Sequence, residues 1–166
     1  MHFLIGVITY GKHKEEAFDK AKSILDGLCG EDKPFDYYST SDDDFSRWQG
    51  QKIMRVKSKK GKELVNKIMQ YTKENFLESL KIVKRAIRKH TNEELFEGSD
   101  YLFKYRCSCL GQYKGSDIRL YDNDGQGIRD NKHLKDTLTK WKSLGKKVTK
   151  EYAGMNVYIT TADVHN

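Results

Sequence analysis

The stretch from Gly61 to His90 constrains this chain most. Leu64, Val65, Ile68, Met69, Phe76, Leu80, Val83, Ala86 and Ile87 fall within one half of a helical wheel. Glu63, Lys67, Glu74, Glu78, Lys81, Arg85 and Arg88 fall on the other. At 1.5 Å per residue such a helix would span about 45 Å, so it either crosses a whole domain or bends. A helix of this kind buries its apolar face against a sheet or other helices, which makes a layered fold the expectation. Thr91 and Glu94 are spaced as a capping box for a short following helix ending near Gly98.

The remaining elements arrange themselves around that helix. Residues 3–9, FLIGVIT, are apolar on both faces and rich in branched side chains, as a strand in the middle of a sheet requires. Ala17, Ala21, Ile24, Leu25 and Leu28 then recur at helical spacing, with Gly30 as a stop. Pro34, the only proline, blocks further helix, and Phe35 to Thr40 reads as a second strand. Residues 101–109, YLFKYRCSC, alternate Tyr101, Phe103, Tyr105, Cys107 and Cys109 against Leu102, Lys104, Arg106 and Ser108; with Ile118 to Tyr121 they read as a hairpin. A helix is expected from about Lys132, with Leu134, Leu138, Trp141 and Leu144 as its buried stripe and Gly145 at its end. The tail MNVYITTADV reads as a last strand, preceded by a possible strand at 147–152. The expected fold is a single α+β globular domain, residues 1–166, with a mostly antiparallel sheet packed against the long amphipathic helix and two shorter helices.

Composition bears on setting and partners. With 166 residues the chain can bury a core without disulfides or a metal, and 10 Tyr and 7 Phe take it out of the disordered class. No apolar run reaches the roughly 20 residues a membrane helix needs, and the apolar start FLIGVITY has neither a basic flank before it nor a small-residue cleavage site after it. Three cysteines do not make a secreted disulfide framework, so a cytoplasmic protein with no membrane partner is expected. The net charge of +7 is uneven: residues 1–50 hold 6 Lys/Arg against 10 Asp/Glu, and residues 51–166 hold 25 against 14. A field of that sign favours anionic partners.

Catalytic signatures are missing. Gly61-Lys62 has the end of a phosphate loop, but Glu63 stands where a magnesium-binding Ser/Thr belongs and Val56 where the first glycine belongs. Gly125 and Gly127 precede a helix, yet Asp130 occupies the third glycine position of a dinucleotide fingerprint. What remains is a glycine loop at a helix start with Arg129 beside it, suited either to an anion or to a plain turn. Asp122, Asp124 and Gly125 make only a fragment of a calcium loop. Cys107 and Cys109 share a face of the expected strand as small core residues, and His133 lies near Asp130 as a surface histidine beside a cap or an acid–base group. No motif is specific enough to name a family, and no cofactor is implied.

Two clusters carry the functional expectation. In the hairpin region Lys104, Arg106 and Arg119 are expected on one sheet face, with Tyr113 near them and Gly125, Gly127 and Arg129 in the loop beyond, setting cations beside aromatic rings as nucleotides and single strands require. On the long helix Lys81, Lys84, Arg85, Arg88 and Lys89 crowd the C-terminal half, as a solvated face matched to the helix dipole or as a binding surface. The leading expectation is a non-enzymatic binding protein for an anionic ligand, either nucleic acid or a small phosphorylated nucleotide. The second is a protein-interaction module, an inhibitor or adaptor of a phage or other mobile element. It would meet a host protein through Tyr37, Tyr38, Phe45, Arg47 and Trp48. The third is a metal-dependent enzyme using Asp42 to Asp44. Against it, three consecutive carboxylates project in different directions, and Ser41 with Asp42 to Asp44 suits a helix start.

Overall fold

The computed structural model describes residues 2–40, 53–98, 101–112, 118–147 and 154–165. The fold is α+β, and its five-stranded sheet is mixed but mostly antiparallel. The strands are β1 (His2–Gly11), β2 (Tyr37–Thr40), β3 (Ile53–Arg55), β4 (Ile118–Tyr121) and β5 (Asn156–His165), in the order β2-β5-β1-β4, with β3 also paired to β5. β1 runs antiparallel to β5 along its whole length and parallel to β4 over Leu4–Val7. β2 and β3 pair with successive stretches of one side of β5, Thr40 opposite Ala162 and Ile53 opposite Thr160. β1 and β5 therefore lie inside the sheet with both faces covered, which explains the unbroken apolar reading of 3–9.

The helices are α1 (Lys14–Leu28), α2 (Lys59–Lys89), α3 (Asn92–Glu97), α4 (Tyr101–Gln112) and α5 (Asn131–Lys147). The chain sorts into two compact units, one of residues 1–69 and 117–166 and one of residues 70–116. In the first, the sheet unit, Ala21 and Leu25 of α1 pack with Ile5, Val7, Phe35, Tyr121, Ala162 and Val164. A second cluster joins Ile8, Leu120, Ile128, Val157 and Ile159 to Leu64, Val65 and Ile68 from the start of α2, with Leu134 and Leu138 of α5 against it. Each such large side chain contributes about 1.5–3 kcal/mol on burial. Gly6 permits the close approach of α2, since a Cβ there would stand 3.1 Å from Ile68 Cδ1 and 2.9 Å from Ile159 Cδ1.

Local chemistry explains where α2 starts. The Ser58 hydroxyl accepts from Gly61 N at 3.1 Å, as an N-cap does, and donates to Arg55 O at 2.7 Å. Gly61 sits so close to the Arg55 carbonyl that any side chain would overlap it. The Gly-Lys pair that resembles a phosphate loop is thus the tight β3–α2 corner. The second, helical unit holds Gln70 to Lys89 of α2 together with α3 and α4. The expected capping box is present: Thr91 Oγ1 accepts from Glu94 N at 3.2 Å and Glu94 Oε2 accepts from Thr91 N at 2.9 Å, with Gly98 closing α3 in the left-handed conformation at φ 76°.

One expectation fails outright. Residues 101–112 are helix, not a strand, and β4 pairs in parallel with β1 instead of forming a hairpin with them. The alternation of aromatics and polar residues was a weak guide, because β-propensity largely reports packing, and among the described residues no strand pairs with this segment. On a helix Cys107 and Cys109 point about 200° apart rather than to one face, and only Cys109 is fully buried. α5 continues past Gly145 to Lys147. The possible strand at 147–152 and the helix start at Ser41 to Asp44 lie outside the described residues.

A basic helical face as candidate functional site

From Lys81 to Lys89, α2 carries five cations and no carboxylate. Lys81, Lys84, Arg85, Arg88 and Lys89 line an open groove of about 750 Å³ whose apolar lining is Leu77 and Leu80. Leu77 is 50% exposed and lies among the cations. At 100° per residue the groove is centred about 180° round α2 from buried Ser79, Val83 and Ala86, so the helix turns one face inward and this one to solvent. Among the described residues no ion pair neutralises Lys81, Lys84, Arg85 or Arg88. Their charges are therefore held near one another with no direct ion pair, Glu78 one turn before Lys81 being the nearest carboxylate along the same face, and the negative end of the helix dipole favours only the last turn of them.

The residues singled out in the sequence are dispersed by the loss of the hairpin. Lys104 and Arg106 stand on α4 of the helical unit. Arg106 is half-buried; its Nη1 donates to Ser79 Oγ at 3.3 Å and its Cζ lies 5.6 Å from the Tyr105 ring centroid. Arg119 belongs to β4 in the sheet unit, its guanidinium 4.9 Å from the Phe3 ring and 5.9 Å from that of Phe35, where it is engaged as an aromatic-stacked strand residue. Arg129 is exposed ahead of α5. Gly125, at φ 74°, turns the loop, and Gly127 bridges back to Tyr121. Tyr113, Phe45, Arg47 and Trp48 fall outside the described residues. Tyr37 is 55% exposed and stacks on His165 at 4.9 Å, whereas the Tyr38 hydroxyl donates to Asp26 at 2.7 Å; burial and that bond push its pKa well up.

The acidic loop before α5 has a structural occupation. Asp122 Oδ1 accepts from the backbone N–H of Asp124 at 2.9 Å and of Gln126 at 2.8 Å, while Oδ2 meets His133 Nε2 at 2.9 Å. Asp130 Oδ1 accepts from His133 N at 2.7 Å and caps α5. These carboxylates close the turn and dock the helix; the calcium-like spacing arises from that task. A similar clamp sits at the far end of β1, where His2 Nδ1 lies 3.2 Å from buried Asp163 and His165 Nδ1 lies 3.1 Å from Asp36. Among the described residues no three His, Cys, Asp or Glu side chains converge as a metal site would need, and no helix is long and apolar enough to cross a membrane.

The groove residues were visible in the sequence only as one of two readings of a charge run. The overlooked signal was Leu77, assigned to neither face of the wheel, which the structure places within the cation stripe.

The molecule is thus an α+β sheet protein with an appended helical unit that carries a concentrated positive face. It belongs to the DUF7995 family, a domain of unknown function, whose family profile matches residues 1–166. No curated protein and no solved structure matches the chain.

Proposed function

We propose that the protein binds an anionic polymer, a nucleic-acid strand read through its phosphates, on the α2 groove. The observation that carries this is the run of five cations without a carboxylate lining one open, partly apolar groove. From Lys81 to Lys89 the helix rises about 12 Å, which matches three or four nucleotides of one strand at about 3.4 Å each. A mononucleotide would need an enclosed base pocket, whereas an open stripe of flexible cations suits a repeating backbone charge. The three free cysteines support a reducing, cytoplasmic setting.

The test is anisotropy of a fluorescent single-stranded oligonucleotide across a salt series. With three or four phosphate contacts, affinity should fall about 20- to 50-fold between about 50 and 200 mM salt. Reversing three charges (Lys84→Glu, Arg85→Glu, Arg88→Glu) should lower affinity at least about 100-fold at low salt and flatten the salt slope. An unaltered slope in that variant, or no binding by the wild type at low salt, would sink the proposal.

A second reading, a host-protein partner at the β2 end of the sheet, is supported by the exposed ring of Tyr37. It requires that a co-purifying protein be lost on Tyr37→Ala or Trp48→Ala with the fold retained. Retention by both variants would remove it.

A further inference from the structure

Inside the helical unit Arg106 presents a different problem from the groove. Its guanidinium has five N–H donors, of which Nη1 reaches the hydroxyl of Ser79, a residue 1% exposed. Arg106 Nε is buried without a hydrogen-bond partner, and so is Asn75 Oδ1, one turn before Ser79 on the same face of α2. Among the described residues no carboxylate pairs with Arg106. A neutral hydroxyl satisfies one hydrogen bond but not the charge, and a half-buried cation with so little compensation is costly to keep. The guanidinium fork matches planar or tetrahedral oxyanions, to which it donates two parallel hydrogen bonds.

We infer that Arg106, with Ser79 and Asn75, forms a site for a single tetrahedral oxyanion, a phosphate group, between α2 and α4. Arg106 supplies the charge and the paired donors, and the Ser79 hydroxyl turns to donate once the anion takes over the guanidinium. The Asn75 amide, turned about its last torsion, adds an N–H. Tyr105 lies beside the guanidinium, its ring centroid 5.6 Å from the guanidinium carbon, and the residue is 41% exposed. This site is on the opposite face of α2 from the groove and does not depend on nucleic-acid binding there.

Thermal unfolding decides the matter, with inorganic phosphate replacing chloride at constant ionic strength, and a phosphate monoester in a second arm to separate a free ion from an esterified group. The wild type should gain about 3 °C or more at saturating phosphate. The triple groove variant should keep that gain, and Arg106→Met should lose it while being at least as stable as wild type in phosphate-free buffer. Ser79→Ala should weaken phosphate binding about tenfold, which provides a reading even if Arg106→Met fails to fold. The inference is overturned by a wild type indifferent to phosphate, by an equal gain in Arg106→Met, by loss of the gain in the groove variant, or by full retention of binding in Ser79→Ala.

Discussion

The two units differ in how far they satisfy buried polarity. In the sheet unit the buried Asp122 accepts three hydrogen bonds, Asp163 meets His2, and Thr9 Oγ1 donates to Ala17 O at 2.8 Å. In the helical unit Asn75 Oδ1 and Arg106 Nε are buried without partners, and Leu77, Ile87 and Phe96 are exposed, Phe96 by 89%. Native proteins satisfy buried polar groups almost everywhere, and the exceptions gather where sequence has been shaped by something other than stability. The contrast is what directs both proposed sites to the helical unit.

The comparison can be broken by measurement. Asp122→Ala leaves the N–H groups of Asp124 and Gln126 and the His133 imidazole without their acceptor, and should cost the sheet unit about 3 kcal/mol in urea unfolding followed by sheet signals. A cost below about 1 kcal/mol would mean that water replaces the carboxylate freely and that satisfaction in this unit counts for little. Thr160 is the sheet unit's own exception, fully buried with its hydroxyl unpartnered. Thr160→Val keeps the shape and removes the hydroxyl, so a gain of about 1 kcal/mol is expected; a loss would reveal a partner that the hydroxyl does possess. Asn75→Leu should be neutral or stabilising by up to about 1 kcal/mol, because no bond is broken and an orphaned carbonyl is removed. If it instead destabilises by as much as Asp122→Ala, buried polarity is satisfied equally in the two units.

Much of the scaffold was legible because its signals are redundant. A continuous apolar run at 3–9, a β-branched and aromatic tail at 155–164, helical periodicity at 17–28 and 64–87, and the Thr91–Glu94 box each point to one structure by more than one route. The misread segment, 101–112, lacked that redundancy: its apolar residues are distributed almost evenly around α4, so no helical stripe opposed the apparent alternation. Losing the hairpin dispersed the expected cation face, since Lys104 and Arg106 went to one unit and Arg119 and Arg129 to the other. Lys81 to Lys89 were visible as a charge run, but charge alone does not tell a solvated face from a groove. That distinction depends on how Leu77 and Leu80 lie among the cations, which is a property of packing. The orphaned Nε of Arg106 was beyond any sequence reading, because it depends on which side chains a neighbouring helix brings near.

The cysteines provide the finest test of the contrast, since one shifted thiol lies in each unit. Burial raises both, but Cys29 is pushed up to about 11, first by burial and then by the carboxylates of Asp26 and Asp36, whereas for Cys107 burial is the only cause. At pH 8 Cys29 should react with N-ethylmaleimide about tenfold more slowly than an unhindered thiol, with the rate climbing towards pH 11. A folded-state pKa above the unfolded value of 9.0 contributes stability that is present below pH 9 and lost as pH rises towards 11. Asp26→Asn keeps an oxygen for the Tyr38 hydroxyl while removing the charge, so it should speed Cys29 alkylation several-fold at pH 8 and leave Cys107 unchanged. Equal acceleration of both thiols would mean that the variant loosens the fold, and no acceleration would mean that the Asp26 charge does not protect Cys29.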